Sequence, residues 1–289
     1  MEKLLHWSIA NSQGDKETVD KIGQPDPKLL AQLFGSGGPD DPTLMKEAIA
    51  VISNPEADLE NKLIAFDNFE MLIENLDNAN NIENMKLWVP LLKTLDAEQE
   101  DLRASGLSVI GTAAQNNIPT QDSFLKYDNG LRKLIELGND LKEPANVRIK
   151  AFYALSNLVR NHPSMAQKFK ELGGLDIVAP VLTDLNAISK LKMRAISLVA
   201  AFLTSTQIDD ELIQLLRTES IIGSTIECLK TETDINIIDR VLNFLSQLIS
   251  AHIKFSEAEV QGLKTGIQNI EQWKDRLNEE DFSVVKHVL

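Results

Sequence analysis

NVRIKAFYALSNLVRN, residues 146–161, reads as one helix: Val147, Ala151, Leu155, Leu158 and Val159 recur at helical spacing and give a continuous buried face. Asn146 stands where an N-cap belongs, two residues after Pro144. His162 followed by Pro163 predicts the stop, because the residue before proline is pushed out of the α region. The same pattern returns as LENKLIAFDNFEMLI from Leu59, LRASGLSVIGTAAQN from Leu102, LKMRAISLVAAFLTS from Leu191 and IIDRVLNFLSQLISA from Ile237. Counted from Val147 for the central copy, the starts are spaced by 43, 45, 44 and 46 residues.

A second apolar helix, beginning near Leu87, Leu131, Leu175 and Ile222, follows each of the first four copies. A unit of this length holds two to three helices and cannot bury its apolar face without a neighbour, which is the logic of armadillo and HEAT arrays. The expected fold is therefore all-α: an armadillo/HEAT-like, right-handed α-solenoid over residues 41–289, with repeats starting near 59, 102, 147, 191 and 237. A cap helix is expected over 41–54, with Asp41 as N-cap and Pro42 in the first helical position. A C-terminal cap is expected over 267–289, from Ile270, Trp273, Leu277, Phe282, Val285 and Val288. Residues 77–81, DNANN, read as a turn, since Asn tolerates turn conformations best after Gly. Residues 1–40 read as a flexible arm with two apolar segments, Leu4, Leu5 and Trp7, then Leu29, Leu30, Leu33 and Phe34, among QPDP and GSGGP.

Lys+Arg 29 against Asp+Glu 43 gives a formal charge of −14, which argues against nonspecific nucleic-acid or anionic-membrane binding. The one cysteine, Cys228, permits no internal disulfide, fits a reducing compartment and reads as a small apolar residue of its helix. The N-terminal residues lack the apolar run of a signal peptide, and no stretch approaches the ~20 apolar residues of a membrane span, so a cytosolic protein is expected. His6, His162, His252 and His287 stand far apart with no metal-ligand spacing. The glycines before Pro39 lack the Lys-Ser/Thr of a phosphate loop and are followed by Asp40 and Asp41. No enzyme, cofactor or metal is expected.

Function then falls to surface. In armadillo arrays the helix equivalent to 151–160 lines the concave face, and its outward positions here are Ala65 and Phe69, Ser108 and Thr112, Tyr153 and Asn157, Ser197 and Ala201, Asn243 and Gln247. Armadillo proteins that clamp extended peptides repeat Trp and Asn at these two positions. An aromatic/Asn pair occurs here once, at Tyr153 and Asn157, so a folded, convex partner fits better than a bare peptide. Asn116, Asn117 and Asn161 lie at matching helix ends, and Lys190, Lys192 and Arg194 form a small basic group. Two readings stay open: a contact surface, or helix C-caps and a solvated basic face.

The chain also resembles the fungal cytosolic nucleotide exchange factors of the seventy-kilodalton heat-shock chaperone, relatives of the animal heat-shock-protein-binding armadillo proteins. The likeness runs the whole length: MEKLLHWSIANSQGD, QPDPKLL, GGPDDPTLMKE, AFDNFEMLIENLDNANNIENM, KYDNGLR, KAFYALSNLVRNH, KLKMRA, NIIDRVL and KDRLNE. The resemblance implies that the concave face wraps one lobe of the chaperone's ATPase domain and opens the cleft that holds ADP. It also implies that the arm, through Leu4, Leu5, Trp7, Leu29, Leu30, Leu33 and Phe34, competes with client for the peptide-binding domain; the arm as a mere tether is the other reading. Ala79 and Arg194 match positions such factors use against the chaperone. Expected contact residues are Asn78, Ala79, Asn116, Asn117, Tyr153, Asn157, Arg160, Asn161, Lys192 and Arg194, on a monomer. The competing reading is an armadillo scaffold or adaptor for peptide motifs, without catalysis.

Overall fold

The computed structural model describes residues 38–288 together with Lys16. The chain divides into two units, residues 1–47 and 48–289. The first unit contributes the start of helix α1, Asp41–Ser53. Its cap is Asp40, one residue earlier than the Asp-Pro pair suggests: Thr43 N donates to Asp40 Oδ1 at 2.9 Å, leaving Asp41 as the first helical residue. Hydrogen bonds from the Thr43 side chain and then its backbone hold the Asp40 carboxyl below its ordinary value.

Within the second unit, five long helices carry the repeat: α2 (Leu59–Ile73), α5 (Glu100–Ala114), α8 (Ala145–Val159), α11 (Ser189–Leu203) and α14 (Ile235–Ser250). Each packs on the next, and α14 packs on the C-terminal helix α16 (Glu279–Lys286), so a single ladder runs through the unit. Behind it lie α7 (Asp128–Asn139), α10 (Val178–Thr183) and α13 (Ile221–Thr231), each against the long helix that follows it; α4 (Trp88–Lys93) and α15 (Glu257–Ile270) occupy the corresponding places in the first and last repeats. Short helices α3 (Leu76–Asn84), α6 (Ile118–Phe124), α9 (Pro163–Glu171) and α12 (Asp210–Thr218) complete the repeats. Among the described residues there is no strand.

Pressed between α5 and α11 and backed by α7, α8 is nearly enclosed, with Phe152, Leu155 and Val159 fully buried. Burial of each such side chain contributes about 1.5–3 kcal/mol. Trp88 is also fully buried; its ring meets Phe124 edge-on at 5.2 Å, and its Nε1 donates to Ser123 at 3.0 Å, which satisfies the one polar atom it carries inside. Cys228 is 2% exposed, and burial pushes its thiol up to about 12.

Three local readings change. Residues 77–81 are helix, not turn: Asn75 caps α3 by accepting from Asp77 N at 2.9 Å, and the buried Ala79 and Ile82 fix the helix where Asn propensity alone would not. Asn146 is not a cap, since α8 begins at Ala145 behind Pro144 without a side-chain cap. The helix stops earlier than His162-Pro163 predicts: α8 ends at Val159, Asn161 takes φ 54, and His162-Pro163 opens α9 instead, His162 accepting from Met165 N at 3.0 Å as its cap.

Candidate functional site

On the ladder's open side, Tyr153 of α8 is the central residue. It lies against α5 because position 111 is glycine: a Cβ there would stand 2.5 Å from the ring. The Arg194 guanidinium of α11 sits over the same ring, 4.9 Å from its centroid. Burial pulls the Arg194 guanidinium below its ordinary value, Tyr153 opposes that, and neighbouring Arg240 adds to it.

From Tyr153 a polar network continues toward the N-terminal repeats. Its hydroxyl lies 3.3 Å from Thr112 Oγ1, and Thr112 and Ser108 both donate to Glu70 Oε1 of α2, at 2.6 and 2.7 Å. Lys150 Nζ donates to Ser108 Oγ at 2.8 Å. Toward the C-terminus, Arg240 donates to Ser197 Oγ at 3.0 Å, and Asn243 and Ser246 both donate to Asp281 of α16, at 3.1 and 2.6 Å. The last turn of the ladder is thus closed by the C-terminal helix, and Gln247 donates to Asn243 at 2.9 Å. Arg160, Ala200, Thr204, Arg240 and Asn243 line a groove of about 390 Å³ there.

The expected contact residues separate into two groups. Tyr153, Arg160 and Arg194 are half-buried on the open side, and Asn116 and Asn161 are exposed. These two asparagines carry φ 51 and 54 at equivalent helix ends, so they have the left-handed C-terminal role that Asn fills readily. The others are committed inside the chain. Ala79 is 2% exposed; Asn78 donates to Leu72 O at 2.9 Å; Asn117 is 3% exposed and precedes α6 as its cap. Lys192 is 6% exposed and pairs with Glu232. The basic group of 190–194 therefore divides: Lys192 and Arg194 lie about 200° apart around the helix, on different sides. Asn157 is 9% exposed, and its Nδ2 is buried without a partner in the free chain. Phe69 and Ala201, at the positions where peptide-clamping arrays carry Asn, are fully buried. Leu4, Leu5, Trp7, Leu29, Leu30, Leu33 and Phe34 lie outside the described residues.

One feature follows from the three-dimensional register. The residues three on from each repeat start are Lys62, Ser105, Lys150, Arg194 and Arg240, and the last three each reach back over the residue six on from the previous start: Ser108, Tyr153 and Ser197. The 43–46-residue spacing contains this column, but it shows only when the repeats are aligned with one another.

Among the described residues no group of three His, Cys, Asp or Glu side chains could hold a metal ion, and no helix is long and apolar enough to cross a membrane. The backbone is similar to designed armadillo repeat proteins. One, in complex with the peptide (KR)4, has a TM-score of 0.64 at 17% identity over 84% of this chain and 97% of that one. Another, computationally designed for modular peptide recognition, has a TM-score of 0.64 at 18% identity over 86% and 98%. These establish the armadillo fold. The family model for nucleotide exchange factor Fes1 matches residues 1–82, and that for the SIL1/FES1/HPBP1 C-terminal domain matches residues 78–220. The Hsp70 nucleotide exchange factor FES1 of Saccharomyces cerevisiae is 64% identical over 290 residues, all of both chains. That of Candida glabrata is 64% identical over 288 residues, 100% of this chain and 99% of its own, and that of Kluyveromyces lactis 58% over the same shares. With relatives this similar from end to end, the chain belongs to the Fes1 family of Hsp70 nucleotide exchange factors.

Proposed function

We propose that this protein is a co-chaperone that binds the ATPase domain of cytosolic Hsp70 through the open side of its ladder and accelerates ADP release, without a catalytic step of its own. The observation that carries this reading is the 64% identity over the full chain to proteins named for that activity. The ladder is suited to it: Tyr153 with Arg194 stacked on it offers a pre-set aromatic and cationic contact, and Asn116, Arg160 and Asn161 stand at the helix ends beside it. Asn78, Ala79, Asn117 and Lys192 act by holding that surface in shape rather than by meeting the partner. The protein works in the cytoplasm as a monomer, and the arm of residues 1–40 aids client release by occupying the chaperone's peptide groove.

The energetic requirement is modest. A factor that binds the open ATPase domain more tightly than the closed, ADP-holding form must weaken ADP binding by the same factor. A hundredfold faster release needs only about 2.7 kcal/mol. Stopped-flow release of a fluorescent ADP analogue from the purified chaperone tests it, using the full chain, Arg194→Ala, and an arm variant with Leu29, Leu30, Leu33 and Phe34 changed to Ser. Acceleration by the wild type and the arm variant, with loss in Arg194→Ala, is expected; no acceleration by folded wild type overturns the reading.

A further inference from the structure

We infer that Lys150, Arg194 and Arg240 form a docking column for a partner helix that carries carboxylates at every seventh residue. The inference deepens the proposed function and rests on it, since it names the chemistry by which that same face meets the ATPase domain. The three cations come from successive ladder helices that pack directly on one another, α8, α11 and α14. Packed helices stand 8–10 Å apart, so the charges repeat at about 10 Å. None of them makes an ion pair within the described residues, although acidic residues exceed basic ones by 43 to 29. Lys150 meets Glu70 only through Ser108. Asp239 and Asp281 line the groove beside Arg240, but accept instead from Asn278 N and from Asn243 and Ser246. A partly buried guanidinium that pairs with no carboxylate of its own chain, as Arg194 is, is a site for one supplied from outside.

The pitch and the floor of the column select the partner. A helix rises about 10.5 Å in seven residues, which matches the column; an extended chain reaches a similar distance in three. An extended chain also brings unpaired backbone groups that need polar clamps from the ladder. At the clamp positions of these repeats Ala201 is fully buried and Gln247 already donates to Asn243, so Asn157 alone is left to meet such a chain, whereas a helix bonds its own backbone and asks only for side-chain contacts.

The test uses the full-length protein and the chaperone's ATPase domain. Arg240→Gln and Lys150→Gln each weaken binding by about tenfold and lower the slope of log Kd against log salt, as neutralised interfacial charges do, with melting unchanged. Arg194→Lys/Arg240→Lys, treated with a zero-length carbodiimide, links lysines at 150, 194 and 240 to acidic residues of one partner helix, seven or eight apart. Unchanged Kd and salt slope in both glutamine variants, while wild type still binds, overturns the column and leaves the proposed function standing. Links to residues three apart on an extended segment overturn the helix. No binding of wild-type protein overturns the proposed function and this inference with it.

Discussion

The long helices carry cations in two columns, and the two are treated in opposite ways. One residue on from the repeat starts stand Arg103, Arg148 and Lys192; three residues on stand Lys150, Arg194 and Arg240. The first column is committed within the chain, two of its three cations in ion pairs. Arg103 pairs with Glu143 at 2.7 Å and donates to Ala97 O and Glu98 O; Arg148 donates to Gly138 O at 3.1 Å within the fields of Asp140 and Asp184; Lys192 pairs with Glu232. The second column has hydroxyls and an aromatic ring for company. Two residues of offset on a helix thus decide whether a cation staples one repeat to the next or remains available to a partner. Cations bonded within the chain support the fold, and those left without an ion pair in an acidic chain are the ones proposed to meet the partner.

The largest expected effect breaks the first column. Lys192→Met leaves Glu232 uncompensated in a mostly buried position and lowers unfolding free energy by about 3 kcal/mol, read from urea denaturation. Lys192→Met with Glu232→Leu recovers most of that loss, because no charge is then stranded. If the single variant is neutral, the pairing does not contribute as described.

Ala79 sharpens the comparison between shape and contact. Ala79→Arg forces a long charged side chain into a position 2% exposed and costs about 2 kcal/mol, so a fall in melting temperature accompanies any loss of binding. Arg194→Ala with Arg240→Ala is the counterpart. Two like charges are removed from neighbouring positions, and stability changes by less than about 0.5 kcal/mol, or rises, while chaperone binding is lost. A melting temperature that falls in this pair as far as in Ala79→Arg would erase the distinction between the columns.

Neutralised cations beyond the ladder obey the same rule with a smaller effect. Burial alone would raise the Glu259 carboxyl, but Arg217 at 2.8 Å and the Ser256 cap hold it below 4.5. Its contribution is present above the unfolded value and is lost as pH falls through the lower folded one. The stability gap between wild type and Glu259→Gln is therefore expected to be constant near neutral pH and to close as pH falls below the ordinary glutamate range. The smallest expected effect is none at all: Cys228, with its thiol near 12, does not react with an alkylating reagent at pH 8 until urea opens the repeats, as mass spectrometry would show.

Read along the chain, the basic residues group as Lys190, Lys192 and Arg194; read across the repeats, they group as Lys150, Arg194 and Arg240, and only the second grouping corresponds to a surface. Ala79 and Asn117 show the opposite limit. Their local sequence looks like turn and surface, and only packing against neighbouring repeats places them inside.

The sequence by itself determined the array, because a 43–46-residue apolar period allows no other way to bury five equivalent helix faces. It also determined the lone aromatic/Asn pair at Tyr153 and Asn157 and the absence of a repeated clamp. Tertiary structure alone decided which polar residues remain available. The partners that claim Lys192, Asn78 or Asn243 lie 40 residues away for Glu232, 6 for Leu72 and 38 for Asp281. Charge neutralisation depends on distance in space, and a linear pattern does not contain that distance until the repeats are stacked.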